Sequence, residues 1–139
     1  APELPTLTFN QIGRHQSRIV RTRVCDDRSP WLMLAGAGNV YSMPISHGEG
    51  RFLCGEELLS DLTQRGQIAA QYVDENENPT MDVRFNPNGS LAAVEAITSP
   101  DGRILGKMGH SERIGSGLYR NIPGRFDLRL FESLVRYYA

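Results

Sequence analysis

Short segments in which apolar and polar residues alternate are the feature that most constrains the fold of this 139-residue chain. Successive side chains of a β-strand point to opposite faces, so strict alternation predicts strands with one buried face. Residues 18–25 show the pattern most clearly, because Val20, Thr22 and Val24 alternate with arginines. Four further strands are predicted at residues 41–45, 67–73, 91–98 and 103–108. Residues 91–98 are apolar on both faces, which is typical of a central strand.

Helix signals are fewer. Residues 56–65 begin with two glutamates and end at Gly66, which suits the helix dipole and a C-terminal glycine. Asp127 is predicted to cap a final helix with an apolar stripe at Leu130, Phe131, Leu134, Val135 and Tyr138. The pattern predicts one α/β domain, residues 1–139, with a mixed sheet and few helices. An intact doubly wound domain has more crossover helices, so the architecture is expected to be partial.

The amino-acid composition narrows the classes of function that this chain can have. Lys and Arg total 15 against 16 Asp and Glu, which removes the electrostatic basis for nucleic-acid binding. No apolar run approaches the roughly 20 residues that span a bilayer. Two cysteines outside any C-x-x-C pair predict a reduced, cytoplasmic setting. The first residues include neither an apolar leader segment nor an initiator Met, so we expect the chain to be a piece of a longer protein.

His110 and Glu112 form the first candidate site, directly after the strand predicted at 103–108. If the backbone stays extended there, the two side chains point to the same side. Glu112 would then fix one imidazole nitrogen and leave the other as a base, the orienting half of a nucleophile–base–carboxylate arrangement. The alternative is an exposed ion pair that contributes little.

A second candidate follows the strand predicted at 41–45, in the sequence SHGEGRF at residues 46–52. Two glycines flank Glu49, so the backbone can approach a ligand closely. Glu49 or Arg51 would then recognise an ammonium or a carboxylate group. The alternative is a tight turn with solvated charges. The sequence NPNGS at residues 86–90 predicts another turn, which either is purely structural or lines a site.

The remaining reactive side chains carry weaker signals. His15 is expected to be structural, and a zinc site built from the three histidines with Glu49 or Glu112 has no compact ligand spacing. Acidic neighbours disfavour a thiolate at Cys25 and at Cys54. We therefore expect no metal site and no cysteine nucleophile among these residues.

Five sequence segments in fixed order resemble one known family. They are PTLTFN (5–10), SPW (29–31), SHGEGRF (46–52), NPNGS (86–90) and GKMGHSER (106–113). Together they resemble the C-terminal glutaminase domain of phosphoribosylformylglycinamidine synthase, a class I glutamine amidotransferase. The resemblance runs from about residue 5 to residue 138 and implies a partial flavodoxin-like α/β fold.

The resemblance also implies roles for individual residues. His110 matches the histidine that moves the proton, and Glu112 matches the glutamate that orients it. Ser46, His47, Gly48 and Glu49 match the segment that faces the bound glutamine. The family often has prolines on both sides of its catalytic histidine, whereas this chain has Gly109 and Ser111. Its nucleophilic cysteine lies in a glycine-rich elbow that has no counterpart here, so the chain matches the distal part of the domain.

What the resemblance implies about function reaches beyond these residues. The family hydrolyses glutamine and passes ammonia to an ATP-dependent synthetase region, which converts formylglycinamide ribonucleotide into the amidine. No cofactor is expected in this chain, while ATP and Mg²⁺ are expected in the synthetase region, and the rest of the synthase is the expected partner. We expect the isolated chain to be inactive. The alternative is a non-catalytic interaction or oligomerisation domain that uses the exposed part of an incomplete sheet.

Overall fold

The computed structural model describes residues 4–115 and 118–139. Seven strands and two α-helices are described within those residues. The strands are β1 (Thr6–Thr8), β2 (Gln16–Val24), β3 (Val40–His47), β4 (Arg51–Leu53), β5 (Ile68–Tyr72), β6 (Val94–Thr98) and β7 (Leu105–Lys107). The helices are α1 (Glu56–Gln64) and α2 (Leu130–Tyr138). Neither is long and apolar enough to cross a membrane.

Five of the strands form one sheet in the order β3-β2-β5-β6-β7, and β1 pairs with β4 in a separate two-stranded sheet. The predicted α/β class with few helices is confirmed. Every described pairing is antiparallel. The short strands β1 and β4 have too few residues for an alternation signal and were not predicted.

The core lies largely against β2, β3 and β5. Val20, Val24, Met43 and Ile45 are buried, as the alternation on the first two strands predicts. Strand β3 is an edge strand and contains Pro44, which lacks the N–H that a second neighbouring strand would need. Loop backbone bonds this edge instead, and the N–H of His110 donates to the Pro44 carbonyl at 2.8 Å. The edge of β3 thus fixes the position of the first candidate site.

The strand predicted at residues 91–98 is shorter than expected. Leu91–Ala93 form a 3₁₀ turn, in which Ala92 and Ala93 have φ of 51° and 59°. The turn forms because the Ala93 N–H donates back to the Ser90 carbonyl, which takes it out of the strand ladder. Strand β6 begins only at Val94 and is an inner strand, as predicted, but it carries a buried carboxylate, Glu95, in place of a wholly apolar surface.

The two helices differ in how well the sequence predicts them. Helix α1 is confirmed to within one residue, and Gly66 adopts a φ of +67° just past its end. The predicted cap of α2 is wrong: the helix begins at Leu130, and Arg129 occupies the cap position. Asp127 lies two residues before the cap, and its carboxylate accepts a hydrogen bond from the Arg129 N–H instead. The apolar stripe of α2 is mainly exposed at Phe131, Val135 and Tyr138.

Candidate active site

His110 and Glu112 are in direct contact. The Nδ1 atom of His110 lies 2.7 Å from Oε1 of Glu112. The extended backbone that we assumed there is wrong, because the N–H of Arg113 donates to the His110 carbonyl at 3.1 Å and closes a turn. The turn brings the two side chains together where an extended strand was expected to do so. The catalytic roles of the pair remain a prediction.

The hydrogen bond sets the proton positions in this pair. The backbone N–H of Glu112, and then the hydrogen bond from His110, lower the pKa of the Glu112 carboxyl against an opposing effect of burial. A carboxylate only accepts, so a neutral His110 carries its proton on Nδ1. Its Nε2 is then a lone-pair acceptor. That atom is buried and has no hydrogen-bond partner among the described residues.

A second histidine packs on the first. The rings of His47 and His110 stack with centroids 5.1 Å apart and an interplanar angle of 13°. The Nε2 atom of His47 contacts the Met108 carbonyl, and because a carbonyl only accepts, His47 donates from Nε2. Burial, and the proximity of His110, lower the pKa of His47, although its bond to Met108 opposes them. His47 is therefore held neutral against His110.

Only part of the segment predicted to face glutamine, residues 46–49, lies next to His110. Ser46 lies at the end of β3 and its hydroxyl contacts Nε2 of His15 at 3.1 Å. Gly48 accepts a hydrogen bond from the backbone N–H of Asn10. Glu49 is exposed and makes no hydrogen bond to another described residue. Of the four residues, His47 is the one that the structure places against His110.

The two histidines line a cleft of about 640 Å³. Glu112 and residues 127–132, around the start of α2, also line it. Neither cysteine lines this cleft: Cys25 is exposed beside Gln71, and Cys54 is buried in a separate apolar cluster with Phe52. Loss of solvation around the sulfur raises the pKa of both thiols, including that of Cys25, whose residue is otherwise exposed. Neither residue is activated as a nucleophile for His110.

Sequence reasoning missed three residues that hold the site: the buried Asn10 and Glu95, and the half-buried Lys107. Asn10 bonds the loop after β3: its Nδ2 donates to the His47 carbonyl at 2.6 Å, and its Oδ1 accepts from the Gly50 N–H at 3.0 Å. Glu95 and Lys107 form an ion pair of 2.9 Å beside Gly109. The sequence carried a signal for two of them, because Glu95 and Lys107 are charged residues inside segments with an apolar strand pattern.

The zinc alternative gains no support. Across residues 4–115 and 118–139, no group of three or more His, Cys, Asp or Glu side chains is arranged to hold a metal ion. The turn at residues 86–90 is structural. Asn86, Asn88 and Ser90 are buried, and the Ser90 hydroxyl bridges the Gly50 carbonyl and the Phe52 N–H.

Comparison with known proteins agrees with the resemblance. A model of the CobB/CobQ-like glutamine amidotransferase domain matches residues 1–138. The chain is 35% identical over 131 residues to phosphoribosylformylglycinamidine synthase subunit PurQ of Methanosarcina barkeri, covering 94% of this chain and 54% of that protein. It is 36% identical over 116 residues to the subunit of the same name from Thermomicrobium roseum, covering 84% and 47%.

A solved structure, PurLQS from Thermotoga maritima, shares the fold with a TM-score of 0.73 and 23% identity, covering 98% of this chain and 54% of that one. The chain spans about half the length of the relatives it matches. The resemblance to glutaminase domains of the synthase is confirmed, and so is the partial amidotransferase fold. The chain belongs to the CobB/CobQ-like glutamine amidotransferase domain family.

Proposed function

We propose that this chain supplies the histidine and glutamate of a glutaminase site in a phosphoribosylformylglycinamidine synthase. The observation that carries the proposal is the 2.7 Å contact between His110 Nδ1 and Glu112, together with a buried Nε2 that has no hydrogen-bond partner among the described residues. A buried acceptor that lacks a hydrogen-bond partner costs about 1–3 kcal/mol of folding free energy. Such a cost is expected at a position where the free acceptor has a function. Membership of the amidotransferase family supports the same assignment.

In the proposed reaction, Nε2 of His110 takes the proton from a cysteine thiol, and the thiolate attacks the side-chain amide carbon of glutamine. Glu112 stabilises the imidazolium that forms. His110 then gives the proton to the departing nitrogen, so that ammonia leaves and a thioester remains. Water, deprotonated by His110, cleaves the thioester to release glutamate and the thiol. The cysteine and the N–H groups that stabilise the oxyanion belong to a part of the synthase outside these 139 residues, because neither Cys25 nor Cys54 lines the cleft.

The wider role rests on the relatives. We propose that the segment Ser46, His47, Gly48 and Glu49 faces the glutamine, with the exposed Glu49 carboxylate available to the substrate ammonium. Ammonia then passes to a synthetase region that uses ATP and Mg²⁺ to convert formylglycinamide ribonucleotide into the amidine, in the cytoplasm. The partners are the remaining components of the synthase, as the names of the PurQ relatives and of the PurLQS structure suggest.

The test is ammonia release from glutamine by the synthase that contains this chain. Loss of a general base lowers turnover by about 10²–10⁴-fold, and we expect His110→Ala to fall in that range while a variant at the exposed Asn76, Asn76→Ala, keeps normal turnover. The 139-residue chain alone is expected to release no ammonia. Full turnover in His110→Ala would refute the proposal. Turnover by the chain alone that is lost in Cys54→Ala would show that the nucleophile lies within it.

One observation favours the alternative, an interaction domain. Phe131, Val135 and Tyr138 expose about two thirds of their surface on one side of α2. If association is the function, light scattering on the isolated chain detects an oligomer that Phe131→Asp dissociates. We expect glutamine hydrolysis in the synthase to be the function instead, with His110 essential.

A further inference from the structure

The backbone that leads into His110 is fully hydrogen-bonded although it lies outside any strand. From the N–H of Met108 to the carbonyl of His110, each N–H and each carbonyl has a partner. The partners, in chain order, are the Glu95 carbonyl, His47 Nε2, the Glu95 carboxylate, Lys107 Nζ, the Pro44 carbonyl and the Arg113 N–H. Three of these six partners are side-chain atoms, which pair backbone groups that a neighbouring strand pairs in a sheet.

The middle residue, Gly109, is held by a single ion pair. Its N–H donates to Glu95 Oε1 at 2.8 Å, and its carbonyl accepts from Lys107 Nζ at 2.9 Å. The two side chains lie 2.9 Å apart, with 0% of Glu95 and 12% of Lys107 exposed. The pair therefore holds both polar groups of the residue that precedes the proposed base.

The fit around Gly109 leaves no room for another residue. A Cβ at this position would overlap with Sδ of Met43 and lie 2.9 Å from Glu95 Oε1. A proline at this position would also lack the N–H that donates to Glu95. Both the packing around residue 109 and the hydrogen bond to Glu95 therefore fit the glycine found at this position.

A buried ion pair is a poor way to stabilise a fold. Desolvation of two charges offsets most of their attraction, and well-packed apolar replacements are often equally stable. A structural role alone does not account for the pair. The pair does affect the proposed site, because its hydrogen bonds to Gly109 determine where the backbone places His110.

We propose that Glu95 and Lys107 are positioning residues for His110, fixing its ring through the two hydrogen bonds to Gly109. The inference rests on the proposed function, because it assumes that His110 is the base. His47 and Pro44 hold the neighbouring groups, so loss of the pair shifts Gly109 while the fold remains.

Two double variants of the synthase test this without leaving a lone buried charge. Glu95→Gln with Lys107→Gln keeps one acceptor and one donor for Gly109. Glu95→Leu with Lys107→Met keeps packing and loses both hydrogen bonds. We expect the polar double variant to keep kcat for glutamine hydrolysis within about threefold. We expect the apolar double variant to lose at least about tenfold in kcat with an unchanged KM, because substrate binding does not require the aligned base.

The NMR signals of the His110 ring provide a second readout. They are expected to shift in the apolar double variant and to stay in place in the polar one. Equal kcat in the two double variants, at any level, overturns the inference. Unfolding of the apolar double variant, measured by circular dichroism, also overturns it, because the pair would then be structural. If His110→Ala retains turnover, the proposed function fails separately, whatever the double variants do.

Discussion

The two histidine-bearing loops of the site are both held by buried polar side chains, but of different kinds. Asn10, a neutral amide, bonds the loop at residues 47–50. The charged pair Glu95 and Lys107 bonds the segment at residues 108–110. In each case the backbone has left its strand, and hydrogen bonds to side chains replace the strand-to-strand hydrogen bonds that would otherwise hold it.

The difference lies in what remains when one partner is removed. An amide leaves unbonded backbone groups, whereas one member of an ion pair leaves a buried charge. The loop beside the proposed base is therefore the more rigidly specified and the more vulnerable to substitution. The loop at residues 47–50, which is proposed to meet the substrate, is held by weaker and neutral contacts.

The largest effect is expected for Lys107→Met alone. This variant leaves the Glu95 carboxylate buried without its cation, which costs about 3–5 kcal/mol of unfolding free energy. Urea unfolding of the variant and wild type measures the difference. Arg103→Met, at an exposed residue in the same segment, is the control and should change stability by less than about 0.5 kcal/mol. If Lys107→Met lowers the unfolding free energy by less than about 1 kcal/mol, the expected difference between the two loops is contradicted.

Asn10→Ala is expected to have an intermediate effect. It removes the acceptor of the Gly50 N–H and the donor to the His47 carbonyl, and an unsatisfied buried group costs about 1–3 kcal/mol. The same unfolding measurement checks this, with the exposed Asn76→Ala as the matched control. A cost above that of Lys107→Met would reverse the ranking of amide and ion pair.

The smallest effect is a change in pH dependence caused by His47. Its pKa is lowered by burial, so below the ordinary value of 6.5 the unfolded chain takes up a proton before the folded chain does. The unfolding free energy therefore falls as the pH decreases from 7 toward 5. His47→Gln keeps a donor for Met108 and should flatten this slope. An identical slope in wild type and His47→Gln would mean that His47 titrates alike in both states.

Much of the fold follows from the sequence because local periodicity reports burial. The alternation on β2 and the charge and glycine signals of α1 are local properties, and both elements lie where they are predicted. The cap of α2 and the 3₁₀ turn at Leu91–Ala93 each depend on one hydrogen bond, from the Arg129 N–H to the Asp127 carboxylate and from the Ala93 N–H to the Ser90 carbonyl, and periodicity encodes neither.

The site shows the same division. His110 and Glu112 were identified by type and spacing, and their contact is present although a turn, not a strand, produces it. Glu95 and Lys107 are 12 residues apart and meet only because β6 pairs with β7. Asn10 meets the loop after β3 across 37 residues. Contacts that depend on strand pairing were beyond the reach of local patterns.

The central claim is that His110 serves a glutamine-cleaving thiol, and covalent labelling with an electrophilic glutamine analogue tests it most directly. In the synthase that contains this chain, we expect one cysteine other than Cys25 and Cys54 to be labelled, with protection by glutamine. The rate should fall by at least about 10²-fold in His110→Ala and remain normal in Asn76→Ala. Labelling that is absent, or that proceeds equally fast without His110, would contradict the account.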